Sequence, residues 1–513
     1  MLPISGERTD MVGMDSEPGY TGALISADVS SDLPMRIFAL AAFALTLLLG
    51  RPASARDLMG VYRDAYQNDP QLRAAQYDTE AARELRPQAR ALLLPAVSVS
   101  GTVNRTHTET DTHLSVSPQL PSAVSVARAV GNGTTATASL LANTLATNIA
   151  LQQNKTIRTD TNVTRRELAL TLTQPLYRRD RWIQLRQTDD VIAQSKAQLT
   201  AEDQGLMLRT ASAYFDVLSA RDGLELAQAE RTAIERQLDQ AKQRFEVGLI
   251  AITGVHESQA RFDQARANEI AARNELDNAL EALREITGMS EERGALSALS
   301  EDLPLKMPVP ADIEQWAEFA IKQNPAVIAA EHATESARKD IEVRRSGHYP
   351  TLDLVGGLST SRTESGTDVN TDDASIGLQL AVPLYAGGGV VAGTREARFA
   401  FEAATERLDQ ERRAVKRQVR DAYRGVESNI SRVKALQAAI VSAESALEAT
   451  RAGYDVGTRT IVDVLDAESE LYRAKREFSK ARYDYIVNGI ALKQAAGTLA
   501  KEDLESVNGL LAQ

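Results

Sequence analysis

Tyr454-Asp455-Val456-Gly457-Thr458-Arg459-Thr460-Ile461-Val462-Asp463-Val464-Leu465-Asp466 interrupts one long helical pattern and begins another. A weaker copy, Phe245-Glu246-Val247-Gly248-Leu249-Ile250-Ala251-Ile252-Thr253-Gly254-Val255, lies 209 residues earlier. In both stretches Val-Gly divides the helices. Gly248 and Gly457 read as helix-stop glycines that take positive φ and make a tight turn. Two copies of one helix-turn-helix device point to a chain built twice from a hairpin-like unit, as a tube or solenoid rather than a globular enzyme.

Other markers keep a constant offset. Asp69-Pro70 and Asn324-Pro325 each sit near the start of a helix, Val61 to Arg90 and Ile313 to Arg345. Each helix runs into a second proline, Pro95 or Pro350, and both proline pairs are 255 residues apart. The division expected is an N-terminal extension with an export signal at 1–55, a first repeat at 56–300 and a second at 301–513. The stretch near 289–312, with Pro304, Pro308 and Pro310, marks the break between them.

After each second proline come two alternating segments. Leu168, Leu170 and Leu172 alternate with Ala169, Thr171 and Thr173; Ile376, Leu378 and Leu380 alternate with Gly377, Gln379 and Ala381. Period two predicts strands with one apolar and one polar face, near 95–104, 165–175, 351–359 and 375–383. A soluble sandwich gives the same pattern, but small uncharged polar partners also suit the lumen side of a membrane barrel. Between the strands, 105–163 and about 360–374 read as polar loops. Helices of about 70 residues follow, at 179–248 and 387–457, each about 100 Å long at 1.5 Å per residue. Shorter helices, 252–287 and 461–496, come after the turns. Two short helices end to end match one long helix, so a long helix can lie beside a stacked pair.

The bulk composition narrows the function. A net charge of −12 with no basic concentration argues against nucleic acid as a partner. With no cysteine there is no disulfide, thiolate metal site or lipid-anchored cysteine. His256-Glu257 lacks a second histidine four positions on, and Gly387-Gly388-Gly389 lacks the spacing and lysine of a phosphate loop. No metal and no cofactor are expected. Met35-Arg36, the apolar run Ile37 to Gly50 and Ala53-Ser54-Ala55 read as a cleavable export signal, with Met35 as the true start. An exported hydrolase would need a catalytic spacing that is missing here. A periplasmic coiled-coil adaptor would not explain four amphipathic strands. Four strands cannot close a membrane barrel, and open edges in lipid are costly. Embedded strands therefore require oligomerisation, and three copies would supply 12 strands.

These residues resemble the TolC family of outer-membrane efflux proteins. The resemblance runs from about Leu58 to Leu511 and is strongest over Val456 to Ala467, with Leu471, Tyr472, Ala474, Tyr483 and Ala496-Gly497-Thr498-Leu499. Thr253 and Arg284-x-Ile286-Thr287-Gly288 carry it in the first half. The resemblance implies a mainly α fold with membrane β: a trimeric 12-stranded transmembrane β-barrel, four strands per protomer, continued by a long periplasmic α-helical barrel. It implies a homotrimer in outer-membrane lipid that performs no catalysis. It implies docking to a periplasmic membrane-fusion (adaptor) protein and an inner-membrane efflux or ABC transporter. The duct would serve multidrug efflux or type I protein secretion, gated at the periplasmic helical tip.

By the same resemblance Asp463 and Asp466 form the pore aperture. Tyr454, Arg459, Thr253 and Asp263 are candidates for the gating latch, and Gly248 and Gly457 place the tip turns. Gly254 stands where the family has an acidic latch partner. From the residues alone, Asp463 and Asp466 share a helix face and have two readings. Three copies would converge six carboxylates on one axis, raising some pKa values and attracting cations. Alternatively, the two acids solvate a helix start, where the dipole favours them.

Overall fold

The structure is a computed structural model and describes residues 56–114, 155–289 and 296–512. The expected export signal (1–55) and residues 115–154 of the expected first loop lie outside the described residues. The helices are α1 (Leu58–Asn68), α2 (Pro70–Ala91), α3 (Arg179–Glu246), α4 (Ile252–Thr287), α5 (Ile313–Gln323), α6 (Pro325–Arg345), α7 (Gly389–Asp455), α8 (Ile461–Ala495) and α9 (Lys501–Asn508). The strands are β1 (Ala96–Leu114), β2 (Lys155–Tyr177), β3 (Thr351–Ser365) and β4 (Thr367–Ala381). The order two helices, two strands, long helix, shorter helix thus occurs twice.

The helices expected over Val61–Arg90 and Ile313–Arg345 are each two helices. Proline has no N–H and pushes the residue before it out of the helical region, so the chain breaks at Asp69 and Asn324. Both residues are extended, with ψ 119° and 124°. Each is at once the end of one helix and the N-cap of the next. The Asp69 carboxylate accepts from Leu72 N–H at 2.6 Å, and Asn324 Oδ1 accepts from Ala326 N–H at 2.8 Å. Asn324 also donates from Nδ2 to Ala495 O at 2.9 Å, tying the joint to α8.

The long helix α3 lies beside different helices along its length. Near its start, Gln187 donates to Ser336 O of α6 at 3.0 Å, and Ser195 meets Thr79 of α2 at 3.3 Å. Near its end, Glu230 pairs with Arg476 of α8 at 2.6 Å, and Ala241 is fully buried. The largest core cluster sits at the middle of the column, where Tyr214, Phe215, Leu283 and Tyr483 pack with Leu58. The connection between the halves packs onto this cluster. Leu296 bridges Arg56, Leu299 bridges Leu511, and Tyr214 Oη donates to Ser297 O at 2.8 Å. The short helix α9 joins the same cluster through Leu504.

The sheet is an antiparallel meander in the order β1-β2-β3-β4, with β1 and β4 as unpaired edges within the chain. Its register sorts side chains by face. Val97, Leu172, Gly356 and Ile376 form one row, and Val99, Leu170, Leu358 and Ala374 the next. The intervening row, Ser98, Thr171, Gly357 and Ser375, faces the other way. From Leu352 to Thr360 the apolar face covers about 26 Å along the strand, close to the apolar band of a membrane barrel. Its side chains are bare: Val99 is 67% exposed and Ile376 79%. A charged belt begins directly beyond it, with Arg166 paired to Glu364 at 2.7 Å.

The strands outrun the sequence expectation. β3 and β4 meet in a tight turn at Gly366 (φ 69°), so the loop expected at 360–374 is mostly strand. β1 and β2 pair as far as Leu114 and Lys155, well past Thr164, where β3 stops pairing. Alternation of hydrophobicity reveals only the part facing an apolar medium. The polar ribbon beyond it, Thr-rich with Arg158 paired to Glu109, has no such signal. Among the described residues no helix is long and apolar enough to cross a membrane.

Candidate functional site

The turns α3–α4 and α7–α8 share one backbone solution. Gly248 (φ 76°) donates to Phe245 O at 2.9 Å, and Leu249 to Arg244 O at 2.8 Å. Gly457 (φ 78°) donates to Tyr454 O at 3.1 Å, and Thr458 to Gly453 O at 2.8 Å. These paired bonds are the Schellman motif, and its left-handed residue is why glycine stands at both positions. Beneath the turns Ile234, Ala265, Leu447, Tyr454, Ile461, Val464 and Leu465 form a buried cluster joining α3, α4, α7 and α8. Around them Val247, Leu249 and Val456 are exposed at 70, 72 and 76%.

The start of α8 is capped from both sides. Thr460 is the N-cap: its Oγ1 accepts from Asp463 N–H at 3.3 Å, while Asp463 Oδ2 accepts from Thr460 N–H at 2.8 Å. The Thr460 hydroxyl also donates to Asp463 Oδ2 at 2.8 Å. This reciprocal capping box satisfies donors that a helix start leaves orphaned. The Thr460 backbone bond holds the Asp463 carboxyl below the usual range, helped by the Thr460 hydroxyl and the nearby Arg459 charge. Within one protomer Asp463 is therefore a capping acid, shifted opposite to the rise expected for crowded carboxylates. Asp466 is paired with Arg261 of α4. The pairing brings charge from the first half onto the acidic face of the second, a contact the sequence reading did not include.

Tyr454 is 9% exposed, and its hydroxyl has no hydrogen-bond partner among the described residues. Its ring is covered instead by the Arg244 guanidinium, 4.6 Å from the centroid. Arg244 also donates to Asp455 Oδ1 at 2.7 Å. Arg459 folds back over Gly453, where a Cβ would stand 2.8 Å from Arg459 Cγ. It makes no ion pair with Asp263, which is exposed and accepts from Gln259 Nε2 at 3.1 Å. Thr253 is exposed in the first turn of α4. Gly254 is buried, and a Cβ there would meet Ile461 Cγ2 at 3.4 Å. The structure thus gathers Tyr454, Asp463 and Asp466 around one cluster but does not join Arg459 to Asp263 within a protomer.

A buried charge group lies behind the tip. Glu468 is 1% exposed, with Arg451 Nη2 at 2.6 Å from one oxygen and no hydrogen-bond partner on the other. Burial raises its pKa, against the pull of Arg451 and with a contribution from Glu230. Glu230 is itself 4% exposed and paired with Arg476. Sequence reasoning missed Glu468 because a glutamate among helical charges looks like a solvated face. The available signal was its position three residues before Leu471 and three after Leu465, both buried.

The comparisons with known proteins agree with this architecture. The outer membrane efflux protein family matches residues 61–289 and 316–498. Outer membrane protein TolC of Vibrio cholerae is 38% identical over 459 residues, covering 88% of this chain and 93% of the relative. Alkaline protease secretion protein AprF of Pseudomonas aeruginosa is 32% identical over 469 residues, covering 90% of this chain and 89% of the relative. Among solved structures, the Campylobacter jejuni CmeC outer membrane channel superposes with a TM-score of 0.68 at 16% identity, covering 88% of this chain and 89% of the other. A bare apolar sheet face, two column-length helices and these matches over most of the chain lead to one assignment: the chain belongs to the outer membrane efflux protein family and is an outer-membrane channel whose helices extend into the periplasm.

Proposed function

We propose that three copies close their sheets into one 12-stranded barrel and form a gated exit duct for efflux, type I protein secretion, or both. The observation that carries this reading is the four-stranded sheet with a bare apolar face and two unpaired edges. In lipid, unpaired backbone groups cost several kcal/mol each, so the edges must meet other copies, and barrels start at about eight strands. The helical columns then surround a periplasmic conduit, and the chain works without catalysis. The secretion role in the name of the Pseudomonas relative supports the protein cargo, and the match to the outer membrane efflux protein family supports efflux.

The paired tips are the gate. Asp463 and Asp466 line the aperture, and Tyr454, Arg459, Thr253 and Asp263 take part in the latch between neighbouring coils. Within the protomer Arg244 holds Tyr454, so Arg459 and Asp263 are left to engage across the interface between copies. Val247, Leu249 and Val456, exposed around the two glycine turns, present an apolar rim for a periplasmic adaptor protein, which links the duct to an inner-membrane transporter. Native mass measurement in detergent tests the assembly: a three-chain particle is expected, and a monodisperse monomer that keeps the full fold overturns it. Planar-bilayer recording tests the gate: a small closed-state conductance is expected, and a wide, ungated pore overturns it.

A further inference from the structure

We propose that Arg261 sets the ionic selectivity of the throat by masking the Asp466 carboxylate in each protomer. The proposal rests on reading Asp463 and Asp466 as the aperture. Arg261 stands on α4, and its guanidinium donates to Asp466 Oδ1 on α8, 205 residues away in sequence. Among the described residues neither group has another ion-pair partner, so the charges are matched one to one.

Packing fixes the pair. Phe262, the neighbour of Arg261, packs against the buried tip cluster, as does Ala467 beside Asp466; Leu465, on its other side, is fully buried. The two charged side chains leave this anchored backbone toward solvent and remain 44 and 56% exposed. An ion pair so exposed adds little to stability. Its consequence is electrostatic: a narrow, low-dielectric constriction focuses the field of whatever charges line it.

Asp463 is not masked in this way. Its oxygen is engaged by the N–H and hydroxyl of Thr460, which orient the carboxylate and favour its ionised form without cancelling its charge. Of the two aspartates, one is therefore neutralised by an ion pair and one is not, so Arg261 removes one of the two negative charges that each protomer brings to the aperture. Asp463 supplies the cation preference, and the Arg261–Asp466 pair limits it.

Wild-type trimers and variants in planar bilayers under a KCl gradient, with gadolinium(III) as the blocking cation, test the assignment. Arg261→Gln unmasks Asp466; the expected result is a higher K+/Cl− permeability ratio and block at a roughly tenfold lower gadolinium concentration. Arg261→Lys keeps the charge and stays close to wild type. Adding Asp466→Asn to Arg261→Gln restores the wild-type charge and returns both readouts toward wild type. If Arg261→Gln leaves selectivity and block unchanged, or raises conductance alone, while Asp466→Asn alters them, the masking proposal is overturned and the aperture reading stands. If Asp463→Asn and Asp466→Asn are both silent, the aperture lies elsewhere and the reading beneath the proposal falls with it.

Discussion

The two tips end their long helices with the same turn but begin their second helices differently. At the α7–α8 tip, Thr460 and Asp463 form a reciprocal capping box. At the α3–α4 tip the matching positions are Ala251 and Gly254, and the helix start has no side-chain cap. The difference continues before the turn. Gly453 leaves room for Arg459 to fold back, while the matching Arg244 reaches out to Tyr454 and Asp455. The second tip is self-contained. The first is held by docking onto it, through Arg244 and Arg261. A duplicated device has thus divided its labour: one copy carries the capped helix start with Asp463 and Asp466, and the other carries the arginines that pair with Asp455 and Asp466.

Removing an arm should be the strongest test of this division. Arg244→Ala deletes the cation–π contact and the Asp455 ion pair together, together worth about 2 kcal/mol per protomer. In a symmetric assembly the loss is repeated in every copy. Single-channel recordings should show a large rise in conductance with the trimer intact in detergent. Arg244→Lys should recover only part of the closed state, since an ammonium cannot both stack on the ring and reach Asp455 with a planar fork. A conductance unchanged by Arg244→Ala would show that the first tip is held by the apolar cluster alone.

The next contrast lies one level deeper. The second tip has Glu468 and Arg451 behind it; the first has Gln259 and Lys242 at the matching positions, and Lys242 pairs with Asp239 at 3.6 Å. Because the folded pKa of Glu468 is raised above its usual 4.5, its protonated form favours the folded state. That contribution is complete below 4.5 and is lost as pH rises through the folded value. Arg451→Met should raise the folded value further and lower stability at neutral pH by about 1–2 kcal/mol, a figure reduced because Arg451 is half exposed. Glu468→Gln should flatten this part of the pH profile. Thermal unfolding of the trimer across pH 4 to 8 reads both, and parallel profiles for all three proteins would remove Glu468 from the account.

Sequence reading reached most of the elements but little of this contrast. Alternation at Leu168–Thr173 and Ile376–Val382, and the two Val-Gly breaks, mark features produced by short-range periodicity and turn geometry. The breaks at Asp69 and Asn324 were also legible, because an Asx before proline is an N-cap signal; the helical period on both sides concealed them. The polar ribbon of β1 and β2 carried no period-two signal, since neither face meets an apolar medium. At the site, resemblance pointed to Asp463 and Asp466, yet their partners came from different distances. Thr460 is three residues from Asp463 and could have been read as a capping box. Arg261 and Arg244 lie more than 200 residues from Asp466 and Asp455, and only the packing of four helices brings them together.

The caps allow a smaller, direct exchange between the tips. Thr460→Ala should cost about 1 kcal/mol of local stability at the start of α8. Ala251 already has extended geometry, with ψ 154°, so Ala251→Ser should lend the first tip a similar amount without rearrangement. Amide hydrogen exchange at residues 252–256 and 461–465 measures each effect. Slower exchange at the first tip only in Ala251→Ser, and faster exchange at the second only in Thr460→Ala, would show that the tips are capped independently. Changes that cross from one tip to the other would show that they open as a unit.

Tyr454→Phe should be the smallest change of all. The hydroxyl is buried and has no partner in the protomer, so deleting it removes a desolvated polar group while leaving the ring under Arg244. The expected effect is within about 0.5 kcal/mol of zero, on the stabilising side. Gly254→Asp would make the two tips alike at this position. A Cβ there meets Ile461 and Ile250 at 3.4 and 3.6 Å, ordinary contact distances, and an acid in the first turn of α4 is favoured by the helix dipole. The new carboxylate also offers the Tyr454 hydroxyl an acceptor. Tyr454→Phe should therefore become costly only in the Gly254→Asp background, with a coupling of about 1 kcal/mol in a double-mutant cycle read from conductance and unfolding. Zero coupling would place the two groups out of reach and leave Arg244 as the sole polar hold on Tyr454. Strong sensitivity to Tyr454→Phe in the native background would mean that a neighbouring protomer already supplies the acceptor.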